Sequence, residues 1–239
     1  IRAGGNYEDV ITHMEYDNLG RQNKSYLPYA SSTNTGNYRT GALTATNSFY
    51  NTAKYENTTN PYSETLFDGT PLNLVVEQAA PGNDWKQGNS EEHTIKNEYK
   101  LIETSDYVRN YKINNSNGTL VDNGYYAIGE VTVQGAFNTP NVYKFITKNE
   151  NWVTGDLNDN TTHTFKDYRG RVILNRTFEN QVKHDTYYVY DSYGNLAYVL
   201  SPKADPSSAK PDTTQLSELC FQYKYDDKNR LIEKKIPGK

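Results

Sequence analysis

One short pattern recurs along this chain and limits its fold more than any bulk property does. A strand-like run ends in Asp, and a residue tolerant of left-handed backbone follows three places later. The fullest copy is Tyr188-Val189-Tyr190-Asp191-Ser192-Tyr193-Gly194-Asn195-Leu196, and a second is Tyr223-Lys224-Tyr225-Asp226-Asp227-Lys228-Asn229-Arg230-Leu231. A third lies near the start, Glu15-Tyr16-Asp17-Asn18-Leu19-Gly20-Arg21, and a weaker fourth is Lys166-Asp167-Tyr168-Arg169-Gly170-Arg171-Val172. Aromatics two apart before the Asp have the period of a strand, which predicts that Tyr188 and Tyr190 share one face and that Tyr223 and Tyr225 do the same. The Asp is then expected to cap a turn by accepting backbone N–H groups two residues on, while Gly20, Gly170, Gly194 and Asn229 adopt the left-handed conformation of a bulged hairpin. Six positions after residues 166, 190 and 225 come Val172, Leu196 and Leu231, apolar residues placed to return beside the tyrosines. Gln22 breaks that rule in the first copy.

Composition agrees with many short antiparallel strands. The 239 residues include 22 tyrosines, with Thr and Val to favour strands and abundant Asn, Gly and Asp to favour turns between them. A mean hydropathy of -0.90 beside 13% aromatic residues describes a folded protein with a wet surface. The net charge of -4 is dispersed without a basic block, which argues against a nucleic-acid partner. No apolar run is long enough to span a bilayer as a helix, so no membrane insertion is expected. The one cysteine, Cys220, sits in Leu219-Cys220-Phe221 and reads as a buried small hydrophobe. The chain starts at Ile1 and ends at Pro237-Gly238-Lys239 after a strand-like run, so both ends read as cuts within a longer polypeptide.

Ala42 to Tyr50 reads as a helix, and Thr213 or Thr214 is placed to cap a second short one through Leu219. Strands are expected at Tyr62 to Phe67, Leu72 to Gln78, Thr94 to Glu103, Tyr107 to Asn114, Glu130 to Gln134 and Val142 to Asn149. Asn115-Ser116-Asn117-Gly118 and Asp122-Asn123-Gly124 carry hairpin chemistry between them. The chain thus divides into a β-rich leader over 1–160, with the first repeat unit, and a hairpin-repeat segment over 161–239 with an inserted loop at 201–214. The fold class is mainly β, an antiparallel hairpin-repeat sheet with one or two short helices.

Chemistry is sparse. Gly-x-Ser-x-Gly, Gly-x-Gly-x-x-Gly and the phosphate-loop pattern are missing from the sequence, so no catalytic residue and no cofactor is assigned. His13, His93, His163 and His184 lack metal-ligand spacing, and three of them, beside Thr or Asp at strand edges, read as hydrogen-bonded surface imidazoles. Asp156-Leu157-Asn158-Asp159-Asn160 has the alternating oxygens of half a calcium loop, but Thr161 stands where the loop wants Gly, so a solvated turn is the better reading. The adjacent acids Glu91-Glu92 and Asp226-Asp227 would point to opposite faces of a strand and read as solvated charges. Asn57, Asn117, Asn160 and Asn175 open Asn-x-Ser/Thr strings of the kind an Asn- and Thr-rich chain makes by chance. Trp85 and Trp152 lie among polar turn residues, where an indole either stacks on a sugar or plugs the end of a sheet, and plugging is favoured.

The repeated units, with Tyr16-Asp17-Asn18-Leu19-Gly20-Arg21 intact, resemble the YD repeats of Rhs proteins. Ile11 to Ala30, Asn60 to Trp85, Lys148 to Val153 and His184 to Lys203 are similar to the region preceding the main repeat array in large bacterial members. That resemblance implies a β-sheet winding into a hollow shell around a variable C-terminal toxin or effector, in a protein that is secreted or displayed at the cell surface. The implied partners are the remainder of the same polypeptide, including a C-terminal effector, and a secretion machinery. No Asp-Pro-x-x-Gly autocleavage core and no toxin domain is found here, so the expectation is a non-catalytic wall segment. The alternative is a cell-surface glycan-binding or adhesion module acting through Trp85 and Trp152.

Overall fold

The computed structural model describes residues 2–3, 8–32, 36–88, 93–126 and 142–239. The chain separates into two compact units, residues 1–97 with 148–152 and residues 98–147 with 153–239. The expected strand at Glu130 to Gln134 and the acids Glu91-Glu92 lie outside the described residues.

The first unit begins with β1 (Arg2–Ala3), β2 (Glu8–Ile11), β3 (Lys24–Tyr26) and β4 (Tyr29–Ser31), followed by the helix α1 (Ala42–Tyr50). It continues with β5 (Tyr62–Phe67), β6 (Val75–Ala79) and the start of β7 (Ile95–Leu101), whose residues from Glu98 onward belong to the second unit. One small sheet has the order β1-β2-β4, and β3, β5, β6 and β7 follow one another as neighbours in a second. Strands β2 to β4 sit in a stretch whose sequence alternates too little to announce them. The helix has no side-chain cap at Gly41; it is held by burial of Ala42 and Thr46, one turn apart. The hydroxyl of Thr46 bonds back to the Ala42 carbonyl at 2.9 Å. Its last turn adds Phe49 and Tyr50 to a cluster of rings with Tyr29 and Tyr55.

The second unit contains β8 (Arg109–Ile113), β9 (Leu120–Tyr125), β10 (Val142–Lys148), β11 (Thr161–Asp167), β12 (Val172–Glu179), β13 (Val182–Tyr190) and β14 (Leu196–Leu200). The short helix α2 (Thr213–Leu219) precedes β15 (Phe221–Tyr225) and β16 (Leu231–Lys235). From β11 to β16 each strand pairs antiparallel with the next in the chain. The fold is mainly β, as expected. Asp212, not Thr213 or Thr214, caps α2: its carboxylate accepts from the Gln215 amide at 2.8 Å, and Gln215 returns a carbonyl to the Asp212 amide at 3.0 Å. A carboxylate starting a capping box with Gln three places on outcompetes the later hydroxyls.

Two rows of side chains cross the buried face of this sheet. Phe165 pairs with Leu174, Leu174 with Tyr187, and Tyr187 with Leu200, giving an apolar row across four strands in which every member is fully buried. Two residues further from the turns, His163 pairs with Arg176 and Arg176 with Asp185. His163 is therefore no surface imidazole, because the period of two that buries Phe165 also buries residue 163.

The β8–β9 hairpin packs over the apolar row. Tyr111 meets the Tyr187 ring edge-on at 5.3 Å, and the Tyr187 hydroxyl accepts from the Arg109 amide at 3.1 Å. Its turn is at Asn114 to Thr119, where the Asn117 carboxamide accepts from Thr119. Asp122-Asn123-Gly124 does not form a separate hairpin; it lies inside β9 opposite a register shift, with Gly124 at φ 79°. An Asx bond from the Gly124 amide to Asp122 makes a bulge there instead of a reversal.

Candidate functional site: the row of aspartate turns

The four Asp units form the same turn, atom for atom. In each, the Asp carbonyl accepts from the residue three places on, Gly20, Gly170, Gly194 or Asn229, and the Asp amide donates to the carbonyl four places on. One carboxylate oxygen accepts two backbone amides at 2.8 to 3.0 Å: Leu19 and Arg21 on Asp17, Arg169 and Arg171 on Asp167, Tyr193 and Asn195 on Asp191, Lys228 and Arg230 on Asp226. The other oxygen takes the side chain four places on, from Arg21, Arg171, Asn195 or Arg230. The third residue has positive φ in every copy, 76° at Gly20, 78° at Gly170, 96° at Gly194 and 59° at Asn229, which Gly and Asn tolerate best. These bonds favour the ionised carboxylate. The Arg21 amide holds Asp17 below the ordinary carboxylate range, and the Arg230 guanidinium does the same for Asp226.

A register shift just before the Asp recurs at Phe165/Lys166, Val189/Tyr190 and Lys224/Tyr225, and beyond it Lys166 pairs with Val172, Tyr190 with Leu196, and Tyr225 with Leu231. The bulge breaks the period of two, so Tyr188 and Tyr190 do not share a face as the bare alternation predicts. The buried residues of β13 are Asp185, Tyr187 and Val189, and Tyr190 swings in to pack against the core they border.

That swing joins one hairpin to the previous one. The Tyr190 hydroxyl donates to the Val172 carbonyl at 3.0 Å, and the Tyr225 hydroxyl donates to the Leu196 carbonyl at 3.1 Å. The Arg171 guanidinium lies over the Tyr190 ring at 4.5 Å while its Nε bonds Asp167. A Cβ on Gly194 would sit 3.5 Å from Arg171 Nη1, so the glycine of one turn leaves room for the arginine of its neighbour. Asn195 stands where an arginine would be in the next unit; it reaches across to Asn229 at 3.0 Å.

A further unit escaped the sequence reading. Phe67-Asp68 starts a longer turn in which the Asp68 carboxylate accepts from the Thr70 and Leu74 amides, after a register shift at Leu66/Phe67. Arg21 stacks on Phe67 at 4.3 Å, as Arg171 does on Tyr190, and in addition bonds Asn73 at 2.5 Å. The registers coincide too: β3 pairs Lys24 with Glu64, which sets Gln22 opposite Leu66, just as Leu174 with Tyr187 sets Val172 opposite Val189. The visible signal was an aromatic before Asp; the substituted Phe and the two extra loop residues concealed it.

The other candidates take up structural positions. Asp156 and Asp159 each commit one carboxylate oxygen to turn bonds, Asp156 to the Val153 amide and the Asn160 side chain and Asp159 to the Gln181 amide. Among the described residues no group of three or more His, Cys, Asp or Glu could hold a metal ion. Asp226 and Asp227 lie at the turn, not on a strand. Cys220 is fully buried in the core, and burial pushes its thiol up. Trp85 is 38% exposed, its ring 5.5 Å from His93, whereas Lys148 Nζ sits 4.0 Å over the Trp152 ring. No described helix is long and apolar enough to cross a membrane.

Towards the last strand the buried face changes character. Tyr198 pairs with Gln222, Gln222 with Lys235, and Lys224 with Glu233, flooring a half-open groove of about 790 Å³ beside the β8–β9 turn. Arg230 is clamped by Asp226 yet its side chain stays 71% exposed, and Leu231 to Lys234 are exposed.

Comparison with known proteins adds little to this geometry. Residues 1–101, under half the chain, match a family model described as a domain of unknown function, DUF6443. No curated protein matches. Among solved structures the chain is similar to one titled "Crystal Structure of TcdB2-TccC3 without hypervariable C-terminal region", with 14% identity and a TM-score of 0.43, covering 92% of this chain and 9% of that one.

Proposed function

We propose that this chain is a non-catalytic structural segment of a large exported Rhs-like protein, contributing sheet to a wall that encloses or presents a C-terminal effector. The observation that carries the reading is the sideways joint between hairpins, in which a Tyr hydroxyl of one unit bonds a carbonyl of the unit before it. Such a joint adds units in one direction without changing the fold of any of them. The partner implied is the rest of its own polypeptide, with a secretion machinery to export it. The polar floor of Gln222, Lys224, Glu233 and Lys235 suits a sheet whose buried face opens onto water.

Hydrogen exchange on this chain and on a longer polypeptide extended beyond residue 239 tests it. We expect β16 to exchange freely in the short form and to gain protection in the long one. Equal protection of β16 and β13 in the short form would remove the open edge on which the reading depends. The second reading, a glycan-binding or adhesion module, rests on the partial exposure of Trp85. Glycan arrays comparing the chain with Trp85→Ala address it, and two blank arrays end it.

A further inference from the structure

The buried charged row is built differently from the turns. Arg176 grips Asp185 with two bonds, Nε to Oδ1 at 2.7 Å and Nη2 to Oδ2 at 2.8 Å, and its Nη1 donates to the Asp106 carbonyl at 2.9 Å. The Ser207 hydroxyl also donates to Asp185. Lys144 bonds Asp106 at 2.5 Å, and Asp106 closes a short capping box with Glu103. The row therefore ties two covering segments to the sheet: the stretch through Asp106 that leads into β8, and the loop through Ser207. Arg109 strengthens that second tie through the carbonyls of Ser207 and Ser208.

His163 stands at the β11 end of this row, beside Arg176, at 6% exposure. Its Nε2 meets the Thr161 hydroxyl at 3.2 Å and its ring lies edge-on to Phe178 at 4.9 Å, while Nδ1 is buried without a hydrogen-bond partner among the described residues. The charges around it are Lys144 on β10, Arg176 on β12, Asp106 at the covering segment and Glu98 on β7, which is itself paired with Lys100. Two cations face two carboxylates, Asp106 and Asp185, so the row is balanced while the imidazole is neutral.

We propose that this row is an acid-released latch, in which protonation of His163 adds a third cation beside Lys144 and Arg176 and frees the Asp106 segment and the Ser207 loop from the sheet face. A buried charge is costly chiefly because it is dry; Asp106 attracts the imidazolium, so opening relieves the cost by admitting water to the ring, and the ties through Asp106 and Ser207 are the part of the row that can give way without breaking the sheet ladder. Burial, and then the positive charges of Lys144 and Arg176, lower the His163 pKa from 6.5 to about 4. The sign follows: the open chain binds the proton more readily than the closed one, so the latch is fully stable above pH 6.5 and loses stability as pH falls to about 4.

The test compares wild-type and His163→Gln chains by hydrogen exchange, corrected for the intrinsic pH dependence of exchange, between about pH 7 and about pH 4.5. We expect protection of residues 104–113 and 202–209 to fall in the wild type, by roughly 60-fold over that pH range, and to stay nearly level in the variant. His163→Lys, whose amine is charged near neutral pH wherever water reaches it, should favour the open state already near neutral pH. Equal losses in wild type and His163→Gln would assign the effect to the carboxylates and overturn the proposal. Should the variants fail to fold, a proton titration of His163 in the wild type by NMR still decides: a midpoint near the ordinary 6.5 refutes the latch, and one well below it supports it.

Discussion

The stacked turns at Asp17 and Asp68 and those at Asp167 and Asp191 share one arginine-on-aromatic contact on two very different foundations. In both pairs an arginine bonded to its own Asp lies over the aromatic that precedes the next Asp. Behind the second pair, Leu174 and Tyr187 belong to a fully buried row. Behind the first, the strands are short and half-exposed, and the Asp17 turn is flanked on one side only by an isolated bridge between Met14 and Ser25. The turn is thus a local object, specified within about five residues by Asp, a left-handed position and backbone amides. The sheet behind it is not local.

The largest expected effect is at the foundation. Leu174→Ala should destabilise the second unit by about 2–5 kcal/mol through lost burial and the cavity left behind. Lys24, its counterpart by register, is partly exposed and makes ion contacts of 3.8 and 3.9 Å, so Lys24→Ala should cost below about 1 kcal/mol. Urea-unfolding midpoints of the two variants check the contrast, and similar losses would show that the first unit rests on more than its burial suggests. Next comes the turn itself: Asp191→Ala removes three hydrogen bonds and should cost about 1–3 kcal/mol. Amide exchange around Asp17 in Asp17→Ala should rise as much as that around Asp191 in Asp191→Ala, if the turn is as autonomous as its geometry indicates. Gly170→Ala, which forces a Cβ into φ 78°, should cost about 1–2 kcal/mol by the same midpoints. Asn229→Gly should be close to neutral, because relief of the strain at φ 59° offsets loss of the exposed bond from Asn195.

What was legible in the sequence follows the same division. Asp17, Asp167, Asp191 and Asp226 are readable because each turn is encoded where it forms, and Tyr62 to Phe67 and Ala42 to Tyr50 because periodicity is local too. The face assignment of Tyr190 was not readable, since a bulge set by the turn overrides alternation at the last strand residue. Nor was the burial of His163, Arg176 and Asp185. Their types signal surface, and only pairing across three strands shows that Arg176 and Asp185 satisfy one another on the face that also buries His163. The sideways joint itself depends on residues of different units, such as Tyr225 and Leu196, whose separation is set by whatever loop lies between.

The finest test of the comparison is a single oxygen. Tyr190→Phe deletes the bond to the Val172 carbonyl and keeps the ring over Arg171, so a loss of about 1 kcal/mol is expected. The first unit offers the reverse experiment. Phe67 follows Leu66, which stands opposite Gln22, as Tyr190 follows Val189 opposite Val172, so a hydroxyl added at Phe67 should meet the Gln22 carbonyl. Phe67→Tyr should therefore stabilise the first unit by up to about 1 kcal/mol, and combining it with Arg21→Ala should lose part of that gain because the stacked guanidinium positions the ring. A destabilising Phe67→Tyr would mean that the two joints share an arginine and a register but not the carbonyl, and that the longer Asp68 turn carries its aromatic to a different place.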